Sequence, residues 1–349
     1  MRAGGPCPRW ILLLVSIGLV AGCDRTEPGP DRSLLFPTLA QRQDQLDTLR
    51  LRGAGNEPLV SLVKQGGSWR VAERTHWPAD AGRISQYLFV LSQARRIEAK
   101  TANPKLFARI GVEPVTDAGA TGTELELSGA GESLRLSIGN EHPKFNSNYV
   151  RVDGQAQAWL TDLPVTFERD PAAWLDRRLI DLPLARISAV RIADSAGSRF
   201  SLSHRDDRFR LDDAPSGAMR DSQRGDELAG ALDQLQFEDL AADDGRSASE
   251  RELQFLAVDG LQVAVQGWTV DGRLWVRIAT SLNEATAAQW LAQSRGKATS
   301  MDVLRKQAAD WNERFRGRRF LLPGPVASTL LLSHEAILSG KPDSGGGDG

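Results

Sequence analysis

The sequence predicts an α+β protein of two related lobes, each made of antiparallel strands and hairpins packed with one or more helices. Three observations lead there. Short runs of alternating apolar and polar residues recur between Gly, Asn and Asp turns. In each half, a segment with apolar residues at helical spacing follows the first such runs. The arrangement also occurs twice, about 141 residues apart, which suits a duplicated lobe and is too long for a solenoid repeat.

In the first copy, LDTLRLRG (46–53), PLVSLVKQ (58–65) and GSWRVAE (67–73) read as three strands, the last entered through a Gly66-Gly67 turn. A helix is expected over 79–95, with Ile84, Tyr87, Leu88 and Leu91 on one face. Hairpin material follows in TELELSG, SLRLSIG, YVRVDG and AQAWLTD. The second copy offers ISAVRIAD (187–194), SRFSLSHR (198–205) and DRFRLDD (207–213), with Phe209 in the place of Trp69. A helix over 220–236 is expected to carry Leu228, Leu232 and Leu235, and LQVAVQGW and GRLWVRIA read as a further hairpin. Between the copies, Asp170 is a good N-cap with Pro171 at the first helical position, so a short linker helix is expected. Asn103-Pro104 opens a helical turn that Gly111 can close. Met301, Leu304, Ala308, Trp311 and Phe315 predict a helix over 300–315, followed by a strand over 318–323.

The N-terminal segment reads as a targeting signal. Arg2 and Arg9 precede an apolar run at 10–22, shorter than the ~20 residues a helix needs to cross a bilayer. Val20-Ala21-Gly22-Cys23 resembles the bacterial lipobox, in which the thiol receives diacylglycerol before cleavage in front of the cysteine. Cys23 is therefore the expected lipidation site, and acyl chains there would hold the protein on a bilayer without a spanning helix. Cys7 falls inside the signal, so a disulfide framework and any CxxC redox or zinc motif are excluded. Asp24 resembles the residue that retains lipoproteins in the inner membrane of enteric-type bacteria. The expected address is the periplasmic face of the inner membrane, with the outer membrane as the alternative. The expected organisation is a signal at 1–22, the lipidated cysteine and a polar tether at 23–44, a first lobe at 45–167, a linker helix at 168–186, a second lobe at 187–340 and a flexible tail at 341–349.

LLFPTL near the tether, GSWRVAE followed by PAD, KTANPKLFARIGVEP, AWLDRRLIDLP and NERFRGRRFLLP together resemble the DUF4340 family of bacterial envelope proteins, over roughly 34–340. The resemblance implies an accessory of an envelope complex, since members often occur beside gliding-motility-type ABC transporter components. It brings no catalytic residues.

The chemistry-bearing residues are sparse. The net charge of −2 argues against attraction to nucleic acid. No HExxH, GxSxG, P-loop or GxGxxG between strand and helix is present. The histidines at 76, 142, 204 and 334 lie far apart, and Glu141-His142 with His76 is the nearest approach to a metal set, without a spacing that fixes it. No metal or other cofactor is expected. Asp212-Asp213 and Asp243-Asp244 read as solvated turns. The basic run Arg314, Arg316, Arg318 and Arg319, interleaved with Phe315 and Phe320, is a candidate contact for lipid headgroups or an acidic partner. Of nine tryptophans, Trp77, beside His76 and Pro78 in an expected loop, is the one candidate ligand contact.

The function expected is a non-enzymatic, membrane-tethered periplasmic accessory subunit, its partners the bilayer through Cys23 and a membrane protein of ABC-transporter type. The alternatives are a lipoprotein that binds a small solute or glycan between its lobes, and an unrecognised hydrolase.

Overall fold

Alternation of buried and exposed side chains organises most of this chain, because a strand buries every second residue when one face of its sheet is covered. The computed structural model describes residues 32–339 apart from 215–222, 247 and 295–298. The expected signal, Cys23, Asp24, residues 24–31 of the tether and the tail all lie outside the described residues.

The first sheet follows a short helix α1 (Leu39–Arg42) and contains nine strands. They are β1 (Thr48–Arg52), β2 (Pro58–Gln65), β3 (Ser68–Val71), β4 (Trp77–Pro78), β5 (Arg96–Thr101), β6 (Thr123–Gly129), β7 (Glu132–Glu141), β8 (Asn148–Val152) and β9 (Ala158–Thr161), with helix α2 (Ala81–Gln93) between β4 and β5. Their spatial order is β4-β3-β2-β1-β6-β7-β8-β9-β5, and every pairing is antiparallel. Leu49 and Leu51 of β1 point into the core while Arg50 between them is exposed. The Gly66-Gly67 turn is as expected, with φ of +57° and +80°, a region open to glycine without a Cβ clash. Helix α2 starts where Asp80 accepts from the Arg83 amide, and it buries Ile84, Leu88 and Leu91.

A two-stranded ribbon joins the lobes: β10 (Arg178–Ile180) pairs with β14 (Leu235–Gln236). The second sheet holds β11 (Ile187–Asp194), β12 (Arg199–Arg205), β13 (Arg208–Leu211), β15 (Asp239–Ala242), β16 (Arg251–Ala257), β17 (Leu261–Val270), β18 (Arg273–Leu282) and β19 (Arg318–Leu321). Its order is β13-β12-β11-β16-β17-β18-β19-β15. Helices α3 (Arg224–Ala229), α4 (Glu284–Gln293), α5 (Met301–Phe315), α6 (Gly324–Leu330) and α7 (His334–Ser339) complete this half. Apart from β4, the two sheets have the same order of elements: three strands lead outwards, four return as a meander, and the strand following the helix adds at the far edge. One continuous apolar cluster, from Leu35 to Ile337, runs through both halves.

Three expectations fail on packing. The tether does not extend to residue 44: Leu35, Phe36 and Leu39 are buried, and the Leu35 amide donates to the Ala94 carbonyl. The expected linker helix shrinks to one 3-10 turn, Pro171–Trp174, still capped by Asp170, because the chain must extend into β10 to cross between lobes. Trp174 docks this linker, stacked on Phe167 at 4.3 Å and donating to the Glu168 carbonyl. The helix expected over 220–236 spans only Arg224–Ala229 among the described residues. Leu228, Leu232 and Leu235 are buried as expected, yet Leu235 reaches the core from a strand, after Gln234 at φ +46°. At the start of this helix Gly225 lies so close to the Phe209 carbonyl that a Cβ would sit 2.2 Å from its oxygen.

Candidate functional site: the junction between the sheets

The lobes meet where Arg74-Thr75-His76-Trp77 turns back on β3. Thr75 and His76 both adopt left-handed backbone, at φ of +52° and +53°, a region that costs a residue with a Cβ on the order of 1–2 kcal/mol. The surroundings hold the turn in place. Arg318 donates from Nε to the Thr75 hydroxyl at 2.8 Å and from Nη2 to the Thr75 carbonyl at 3.0 Å. Arg74 makes a two-point pair with Asp239 at the edge of the second sheet, at 2.6 and 3.2 Å.

This turn drives Trp77 between the lobes. The indole is 1% exposed, packed edge-on against Phe237 at 5.4 Å and Phe320 at 5.3 Å. Its Nε1 donates to the Asp176 carbonyl at 2.8 Å. The Arg314 and Arg318 guanidinium carbons sit 4.6 and 5.7 Å from the ring centroid, within cation–π range. Trp77 is therefore a wedge between sheets, in strand β4 and closed to ligands, which corrects its expected place in a loop as a ligand contact.

The basic run is likewise committed inward. Arg314 donates to the Arg178 carbonyl at 2.6 Å, and Arg319 pairs with Asp244 and lies 5.0 Å from the Trp275 ring centroid. Burial pushes the Arg314 and Arg318 guanidinium pKa values down, although both stay charged in the ordinary pH range. Arg316 alone of the four is well exposed, and it pairs with Glu313 at 3.1 Å. Two of the four, Arg314 and Arg318, thus stitch the junction, while Arg319 is held by partners within the second lobe.

Beside the wedge lies a cleft of about 780 Å³, lined by Trp69, Asp80, Arg83, Asp176, Arg177 and Arg178 among others. Arg178 grips Asp176 with two bonds, at 2.9 and 2.8 Å. These bonds outweigh burial and hold the Asp176 carboxyl below the usual carboxylate range. The two bonds engage both carboxylate oxygens of Asp176.

The remaining candidates are dispersed. His76 Nδ1 faces Gln65 at 3.2 Å, His142 stacks on Phe145 at 4.7 Å, His204 meets Phe209 edge-on, and His334 pairs with Asp213 at 3.0 Å. Among the described residues no group of three or more His, Cys, Asp or Glu side chains is placed to hold a metal ion. Burial works to raise the Asp212 carboxyl, but donors from Ser201, Ser203 and Arg205 overcome it and hold the value low. Asp243 is likewise held low against burial, chiefly by Arg277 at 2.6 Å.

The family model for DUF4340, a domain of unknown function, matches residues 69–254. The chain belongs to the DUF4340 family. The matched segment starts in β3 and ends in β16, so the DUF4340 region contains Trp77, the Arg74–Asp239 pair and the β10–β14 ribbon. It is narrower than the 34–340 span of the resemblance, and it straddles the junction instead of coinciding with either lobe. No curated protein and no solved structure matches the chain. The sequence reading missed Arg74, Asp239 and Arg178. The available signal was four consecutive polar residues, Glu73-Arg74-Thr75-His76, immediately before a tryptophan and a proline.

Proposed function

We propose that this DUF4340 chain is a non-enzymatic interaction subunit held at the periplasmic face of the inner membrane by acylated Cys23. One observation carries the interaction role: Trp77, Arg74 and Arg318 lock two sheets of like strand order into a single body. Such a body displays two similar faces at fixed separation, which suits a subunit that bridges components of a larger complex. The common strand order supports an origin by duplication of one lobe. The lipobox-like Val20-Ala21-Gly22-Cys23 supports the anchor, Asp24 supports inner-membrane retention, and the family resemblance points to ABC-transporter-type components as partners.

The test compares intact mass and membrane fractionation of the wild type with Cys23→Ser, followed by crosslinking in membranes. The expected result is a chain starting at Cys23 with acyl mass, an uncleaved mutant, and crosslinks to an integral membrane protein. A soluble wild type without acyl mass overturns the anchor, and absence of any crosslinked protein overturns the bridging role.

The charged cleft favours a second reading, a binder of small zwitterionic or anionic solutes. That reading requires a solute whose concentration-dependent rise in Tm disappears in Arg178→Ala.

A further inference from the structure

We infer that the end of the first lobe where the N-terminal segment joins it rests on the bilayer surface and inserts Phe89 and Phe145 into the lipid interface. The inference rests on lipidation of Cys23. Eight residues, 24–31, separate that cysteine from Arg32. Even fully extended, this segment reaches about 30 Å, so the part of the fold nearest Arg32 stays close to the headgroups.

A short chain of hydrogen bonds defines that part. Arg95, just past the end of α2, donates from its side chain to the Arg32 carbonyl at 2.9 Å. The Arg95 amide bonds the Asp162 carboxylate at 2.7 Å, and the Asp162 amide bonds the Arg95 carbonyl at 3.1 Å. Next to Asp162, the Thr161 hydroxyl donates to the Asn148 carbonyl, and Asn148 Oδ1 accepts from the Val165 amide. The β7–β8 loop carrying Phe145 therefore closes on the same end of the sheet as the last turn of α2 and Arg32.

Among the described residues, Phe89 and Phe145 are the exposed phenylalanines, each 61% accessible. Phe89 lies one turn before the end of α2. Phe145 tops its loop, stacked on His142, which also lies against Tyr149. Aromatic side chains of this kind partition into the interfacial layer. Exposed Arg32, Arg95 and Lys144 share this end with exposed Asp162 and Glu141, and Asp162 is already bonded to Arg95. The charge is close to balanced, so aromatic insertion carries the contact and salt has little effect on it.

The experiment exploits the cysteine count. With Cys7 removed in the signal, Cys23 is the mature chain's own cysteine, and lipidation blocks it. Full chains carrying Phe89→Cys, Phe145→Cys or, as a second-lobe control, Val303→Cys receive a nitroxide and enter phosphatidylethanolamine–phosphatidylglycerol vesicles. Val303 is also exposed, on α5. The expected result is a several-fold higher ratio of oxygen to nickel-complex accessibility at 89 and 145 than at 303, unchanged in high salt. If Cys23 is blocked yet 89 and 145 behave like 303, the anchor stands and the membrane contact is overturned. Low accessibility to both reagents at 89 and 145 overturns it too, by showing contact between copies of the chain. Maleimide labelling of Cys23 in the mature wild type removes the anchor and the proposal with it.

Discussion

Trp77→Ala tests the junction most directly. The substitution deletes a fully buried indole that packs on Phe237 and Phe320, and it leaves the Asp176 carbonyl without its 2.8 Å donor. Emptying such a site costs about 3–5 kcal/mol when the walls relax only in part. The two edge-on pairs and the stranded carbonyl place this case at the upper end, near 5 kcal/mol. That is a third or more of the roughly 5–15 kcal/mol that holds an ordinary domain together. Trp77 contacts the second lobe through Phe320 of β19 and Phe237, two residues ahead of β15, so the loss falls on the coupling of lobes as well as on the first sheet. Urea unfolding of the full chain by far-UV circular dichroism, with hydrogen exchange resolved by peptide, reads both effects. The expected outcome is a midpoint shift worth about 4–5 kcal/mol and faster exchange in 237–242. Trp77→Phe keeps part of the wedge but loses the N–H donor and one ring of the indole, so it costs less than Trp77→Ala, about 1–3 kcal/mol. A Trp77→Ala chain within about 1 kcal/mol of wild type, with exchange in 237–242 unchanged, would refute the wedge.

Three further outcomes follow from the same geometry. His76→Gly relieves left-handed backbone at an exposed position and raises stability by about 1 kcal/mol in urea unfolding; a loss of stability would mean that the imidazole has a packing role. A double-mutant cycle on Arg74→Ala and Asp239→Ala gives a coupling of about 1 kcal/mol, larger than for a fully exposed pair because both side chains are about three-quarters covered; additive effects would count the pair out of the junction. Asp176 has a folded-state pKa below its unfolded value, so its stabilisation is present above the ordinary carboxylate range and is lost as pH falls through the folded value. Stability of the wild type and Asp176→Asn therefore differs at neutral pH and converges below about pH 4, as measured by urea midpoints across that range.

Local patterns gave the elements away wherever a residue's fate depended on near neighbours. The expected strands over 58–65 and 187–194 match β2 and β11 at both ends, because alternation and bounding turns lie within one short window. Caps were as readable: Asn103 and Asp170 each accept from the backbone amide two residues on. The 220–236 segment misled for the converse reason. Its leucines do fall at helical spacing and are buried, but Leu235 is claimed by pairing with β10, some 55 residues away in sequence. The edge strand β5, RIEAKT, gave little alternation because its burial pattern is irregular and its pairing to β9 is bulged twice.

By itself the sequence determined the α+β class and most strand positions, since these follow from side-chain periodicity and backbone rules acting over a few residues. It also set the lipobox-like motif, a matter of local chemistry. Only the tertiary structure decided what the junction residues do. Trp77 in a polar run beside a proline looks like a surface residue until Phe237 and Phe320 arrive from the other lobe. Arg318 looks like one of a cationic patch until Thr75, 243 residues away, accepts its bonds. Burial and pairing across such separations depend on how two sheets pack, and no window of sequence contains both partners.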